Sequence, residues 1–277
     1  MKRGPILAVA TAFLAACGSA TDTHGRLGVV AAFYPLAFAA QQIGGSRVAV
    51  ENLTPPGAEP HDVELAPRDV ADVQRADVVL YLSHGFQPSV EDAAGDAHGT
   101  RVDPLSGVAL RSGDPHIWLD PLLFARLVER VGAALGAPKR AAALAARARS
   151  LDREYRTGLA DCKRREFVTS HAAFGYLAAR YRLRQTPITG IDPESEPSPK
   201  RLRSLIDLVR REHITTVFFE RLVSPRLADT IARDSGATAR VLDPIEGLTP
   251  SEQQRGDDYF TLMRQNLRAL RTALGCR

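Results

Sequence analysis

Cysteine is scarce: three residues in 277, with no closely spaced pair. That excludes a thiolate metal site of the CxxC kind. Charge of one sign is also lacking. The formal balance is +4, and it falls to +2 when Lys2 and Arg3 are set aside, leaving 34 basic against 32 acidic side chains. The basic residues are spread along helical faces with no arm-like block, so nothing points to a nucleic-acid partner. No HExxH metalloprotease motif occurs. Beyond the first seventeen residues there is no apolar run near the roughly 20 residues that a membrane-spanning helix needs. What remains is ordinary: 44% apolar and 25% charged residues, as in a soluble globular protein. The length suits one large domain or two of usual size.

The start of the chain reads as a targeting signal. Met1-Lys2-Arg3 is a short basic opening, and Ile6 to Ala16 is an apolar run of eleven residues. It ends at Leu14-Ala15-Ala16-Cys17, which resembles a bacterial lipobox, in which the cysteine becomes the acylated N-terminus. The alternative is an ordinary signal peptide with an incidental cysteine. Residues 1–17 are therefore expected to be a lipoprotein signal, and 18–26, small and polar, a tether. The expected location is outside the cytoplasm, lipid-anchored through Cys17. There Cys162 and Cys276 can form a disulfide, the alternative being two free thiols.

From Leu27 the chain alternates β-branched runs with helical patterns. LGVVAAF, RVAVENL and ADVVLYL read as strands, with YPLAFAAQQIGG and APRDVADVQRA as helices. Strands alternating with helices imply a mainly parallel α/β sheet. Residues 121–136 form one amphipathic helix. From Pro138 a second of about 25 residues follows, expected to end at Cys162 and to be near 37 Å long. The alternation then resumes with EFVTS, RQTPITG, TTVFFE and ARVLD as strands. A helix is expected to open at His171, and EQQRGDDYFTLMRQNLRALRTAL is expected as one final helix. The organisation read is an N-terminal α/β lobe at 27–137, a linking helix at 138–163 and a C-terminal α/β lobe at 164–277. Each lobe is expected to have its own core. No convincing sequence repeat relates the two.

Open parallel sheets bind ligands at the carboxyl ends of their strands. His61, held by Pro60 in a Pro-rich loop, follows one strand. His116 lies in GDPHIWLDP, His171 directly follows FVTS, and Asp243 directly follows ARVL. Three imidazoles and a carboxylate make a four-coordinate site that suits Zn(II). Each residue taken alone has another reading. His61 or His116 could be a plain loop residue, His171 could pack on Tyr176, and Asp243 could form an Asx-turn or a cap. His84 is the one real competitor. His24 is in the tether, His98 in a Gly-rich acidic loop and His213 at a helix end.

In order along the chain, PPGAEPHDVELAPRDVADVQRADVVLYL, DPHIWLDP, VTSHAAFGYLAARYRL, EPSPKRLRSLIDLVRREHITTVFFE and VLDPIEG resemble the signatures of the periplasmic solute-binding proteins of zinc and manganese ABC importers. The resemblance covers about Leu27 to Leu274. It implies two pseudo-Rossmann lobes, a rigid linking helix and metal held between the lobes. Carried over, the ligands are His61, His116, His171 and Asp243. The manganese receptors resemble this pattern with Glu in place of His171, so a third imidazole favours zinc over Mn(II).

Many zinc receptors of the family carry a long His-rich acidic loop before DPHIW. Here that span is short and holds only His98. Glu220 reads as a partner for a ligand imidazole or as a cap or surface salt bridge, and Trp118 as core packing. Glu194 and Glu196 belong to a helix entry or to a face turned to the permease. The implied partner is an ABC permease, and a monomer is expected. No catalytic residue is expected: a zinc hydrolase would need an open coordination position and a base, Glu220 or Glu59. A manganese or iron receptor, or a metal-dependent adhesion lipoprotein, is the alternative function.

Overall fold

The structure is a computed structural model and describes residues 25–277. Cys17 and His24 therefore lie outside the described residues. Two four-stranded sheets organise the chain, and every strand pairing is parallel. In the first, β1 (Leu27–Ala31) pairs with β2 (Val48–Asn52) and β3 (Val78–Leu80), and β3 pairs with β4 (Thr100–Val102). In the second, β5 (Glu166–Thr169) pairs with β6 (Arg184–Pro187) and β7 (Thr216–Phe219), and β7 pairs with β8 (Thr238–Val241). The strand orders, β2-β1-β3-β4 and β6-β5-β7-β8, are the same. The two halves repeat in topology without repeating in sequence.

The helices are α1 (Tyr34–Gly44), α2 (Pro67–Arg75), α3 (Pro88–Gly95), α4 (Pro121–Ala134), α5 (Pro138–Gly158), α6 (Gly175–Arg180), α7 (Pro199–Arg211), α8 (Arg226–Ser235), α9 (Pro250–Arg255) and α10 (Tyr259–Leu274). Proline opens α2, α3, α4, α5, α7 and α9 at the first helical turn, where its missing N–H costs nothing.

Several elements differ from expectation. The span that reads as a His98-bearing loop holds α3 and β4. At three residues, two of them exposed, β4 is too short to show a strand period. The linking helix α5 has 21 residues, about 31 Å, and stops at Gly158 rather than at Cys162. A methyl group at 158 would lie 3.2 Å from side-chain carbons of both Leu267 and Arg271, so α10 packs closely over that glycine. The expected final helix is two helices. Gly256, at φ 69°, ends α9 in the left-handed region, and the Asp258 side chain accepts from Thr261 N at 2.7 Å to start α10. The helix after β5 begins at Gly175, leaving His171 on irregular backbone.

The main hydrophobic core is continuous through both halves. It runs from Phe33 and Leu36 through Phe124, Ala148 and Tyr155 to Phe174, Phe218 and Phe260. Each sheet keeps only a small outer cluster to itself, around Val79 in one case and Val217 in the other. The expectation of separate lobe cores is thus corrected: α1, α4, α5 and α10 fill the space between the sheets, and burying them once serves both. Phe124 stacks on Tyr259 at 3.9 Å, and the Tyr155 hydroxyl donates to Met263 O at 2.6 Å. Cys162 and Cys276 are bonded, 114 residues apart, and close the C-terminal tail onto the turn after α5. Among the described residues no helix is long and apolar enough to cross a membrane.

Candidate metal centre

Residues beyond the carboxyl ends of both sheets meet at one point. His61 lies in a 3-10 turn, Pro60–Asp62, after β2, and the Glu59 side chain accepts its backbone N–H at 3.3 Å. His116 follows β4. Asp114 accepts both its backbone N–H, at 2.8 Å, and its ring Nδ1–H, at 2.7 Å. His171 follows β5. Glu220, the residue after β7, accepts its backbone N–H at 3.2 Å and its Nδ1–H at 2.7 Å. These carboxylates hold Nδ1 of His116 and His171, so in both rings Nε2 is the nitrogen turned to the common point.

The fourth member is Glu246, not Asp243. Glu246 Oε1 lies 3.0 Å from His116 Nε2, 3.5 Å from His171 Nε2 and 3.7 Å from His61 Nε2. The Nε2 atoms of His116 and His171 are 3.2 Å apart. All four donor atoms lie within 4.8 Å of one another. His116, His171 and Glu246 are buried, and the His61 side chain, 11% exposed, is the solvent edge. Both Glu246 oxygens and His61 Nε2 are buried without an aligned hydrogen-bond partner. A buried carboxylate facing imidazole nitrogens in this way is a donor set that fits a cation.

Asp243 is occupied elsewhere. Its Oδ1 accepts Ile245 N at 2.7 Å, closing an Asx-turn, and its Oδ2 faces Arg221 Nε at 3.4 Å. Its own backbone is clamped by Asn266 on α10, whose side chain accepts Asp243 N and donates to Asp243 O. Ile245 then takes φ 58° and delivers Glu246 to the cage. The signal for this was local: an Asp-Pro pair favours such a turn, and IEG supplies a longer acid just beyond it. Asp114 also escaped the sequence reading. Gly175 makes room for it, since a methyl there would lie 2.6 Å from Asp114 Oδ2.

The electrostatics are those of an anion among imidazoles. Burial alone would raise Glu246, but close contacts with His116, His171 and His61 outweigh it and hold the carboxyl well below its usual range. Burial alone would lower His116, yet Asp114 and then Glu246 raise it. His171 goes well above its ordinary value: burial opposes, and Glu220 and Glu246 prevail. Glu59 is pushed up to about 9, by burial first and the Glu246 charge second. Burial also lifts Asp243 to about 7.

The other sequence candidates lie apart from the cage. His84, His98 and His213 are exposed. Trp118 is fully buried, and its Nε1 donates to Pro244 O at 2.7 Å, so it packs the core and steadies the Glu246 loop.

Two α/β halves with a buried cage between their strand ends, built of imidazole nitrogen and one carboxylate, define a solute-binding protein for a metal cation. The family model for zinc-uptake complex component A, periplasmic (ZnuA) matches residues 29–273, and the chain belongs to that family. It is 34% identical to the high-affinity zinc uptake system protein ZnuA of Bacillus subtilis, over 99% of this chain and 98% of that protein. It is 33% identical to the zinc-binding lipoprotein AdcA of Streptococcus pneumoniae, over 94% of this chain but only 58% of AdcA's length. The crystal structure of the Zn(II)-bound ZnuA-like domain of that AdcA superposes with TM-score 0.79 at 35% identity, covering 90% of this chain and 99% of that one. The laminin-binding protein Lmb of Streptococcus agalactiae, described as having adhesin and metal-transporting activity, gives TM-score 0.82 at 30% identity, covering 90% and 99%.

Proposed function

We propose that this protein is an extracytoplasmic receptor that captures Zn(II) and delivers it to an ABC importer permease. The observation that carries this is the cage itself: three Nε2 atoms and one carboxylate converge, with His61 Nε2 and both Glu246 oxygens buried and without a hydrogen-bond partner. A borderline-soft dication with tetrahedral preference suits that set, whereas Mn(II) favours more oxygen. With four protein donors the shell is full and leaves no open position for a nucleophilic water, so cargo binding rather than hydrolysis is the chemistry supported.

His61 is the side chain through which an ion enters. Its loop also touches the Glu246 loop across the cleft, where Gly57 N donates to Leu248 O at 2.9 Å. Uptake and release are therefore assigned to local shifts of these two loops, because the shared core behind them resists hinge opening. Lipid attachment at Cys17 and a monomeric state complete the proposal.

Competitive titration of the purified protein against a chromophoric zinc chelator tests it, with the donor count taken from zinc-edge X-ray absorption. A 1:1 high-affinity complex with three imidazoles and one carboxylate is expected. Micromolar or weaker binding, or an oxygen-rich shell, would overturn it.

A further inference from the structure

Arg221 directly follows Glu220, the acceptor for His171, but its own side chain turns to the Glu246 segment. Its Nε lies 2.8 Å from Glu252 Oε1 and 3.4 Å from Asp243 Oδ2. Asp243 begins the segment that carries Glu246, and Glu252 closes it. The Glu252 side chain accepts Thr249 N at 2.9 Å in the capping box of α9. Both acids are buried, while the Arg221 side chain is 35% exposed. One guanidinium thus spans both ends of the segment. Between the ends, Ile245, a β-branched residue, sits at φ 58°. Such a conformation persists only where its surroundings over-determine it.

We infer that Arg221 is a positioning residue for the bound cation, pinning Asp243 and Glu252 so that the strained turn between them holds Glu246 in the cage. The inference rests on Glu246 being a zinc ligand. Arg221 touches none of the four cage residues by a hydrogen bond or ion pair in this structure, so its effect on zinc must pass through Glu246.

A double-mutant cycle tests this. Zinc affinity is measured by chelator competition for the parent, Arg221→Ala, Glu246→Ala and the double variant, with zinc-free melting followed in parallel. Arg221→Ala is expected to weaken zinc about ten- to hundred-fold in the parent, the usual effect of removing a group that orients a ligand. In the Glu246→Ala background it is expected to change affinity by less than about twofold, and Arg221→Lys should recover part of the loss in the parent. Equal losses in both backgrounds would overturn the inference, as would parent-like affinity in Arg221→Ala. If Glu246→Ala itself bound zinc like the parent, the site reading would fall instead. Should Arg221→Ala not fold, Arg221→Lys and Glu252→Gln carry the same cycle.

Discussion

Replacing Glu246 with glutamine separates the two acids that compete for the fourth position. The change keeps size and one carbonyl oxygen but deletes the charge. That charge sits fully buried, 3.0, 3.5 and 3.7 Å from three imidazole Nε2 atoms. Breaking a buried charge pairing costs about 3–5 kcal/mol. At 1.4 kcal/mol per decade this corresponds to a zinc Kd raised by roughly two to three and a half orders of magnitude. Asp243→Asn keeps the oxygen that accepts Ile245 N and loses only the 3.4 Å contact to a part-exposed arginine. Its expected loss is about tenfold or less. Chelator competition on both variants, with zinc-edge X-ray absorption to count oxygen donors, reads the difference. If Asp243→Asn abolished binding while Glu246→Gln stayed within threefold of the parent, the assignment of Glu246 and the account of the turn would both be wrong.

Zinc affinity should climb with pH well above 6.5, because both His116 and His171 are raised from that value and zinc must displace their protons. In the zinc-free protein the sign is the opposite. Those protons stabilise the fold fully below pH 6.5, and the gain is lost as pH rises through the raised values. Glu246, depressed from 4.5, contributes above that pH and fails only in stronger acid. Titrations from pH 6 to 9 that showed a flat affinity would refute this. Reducing the disulfide, or Cys276→Ser, reopens a 114-residue loop and should cost about 4–5 kcal/mol, read as a lower Tm with zinc Kd unchanged. Gly175→Ala should move Asp114 and weaken zinc about ten- to hundred-fold, with circular dichroism unaltered. Hydrogen exchange should show zinc protecting residues 55–61 and 243–250 while α5 stays unchanged; wholesale changes in α5 would point to hinge opening instead.

Much of this protein was legible along the chain. Period-2 and period-3.6 patterns, with proline opening most helices, placed the major strands and helices, since those signals act over a few residues. Strand-end position found His61, His116 and His171, and it suggested Glu220 as a partner. What escaped were β4, too short for a period, and the shared core, which depends on which faces meet. The fourth cage residue escaped for a more specific reason. Proximity to a strand end made Asp243 the natural choice, but direction is a tertiary property. Asn266 on α10, Trp118 from the N-terminal half and Arg221 after β7 all contact the turn in which Asp243 caps its own backbone and Glu246 faces inward. Residue types and their order determined that three imidazoles and an acid would meet. Packing between distant segments decided which acid, because a side chain's aim is set by contacts that only the folded chain brings together.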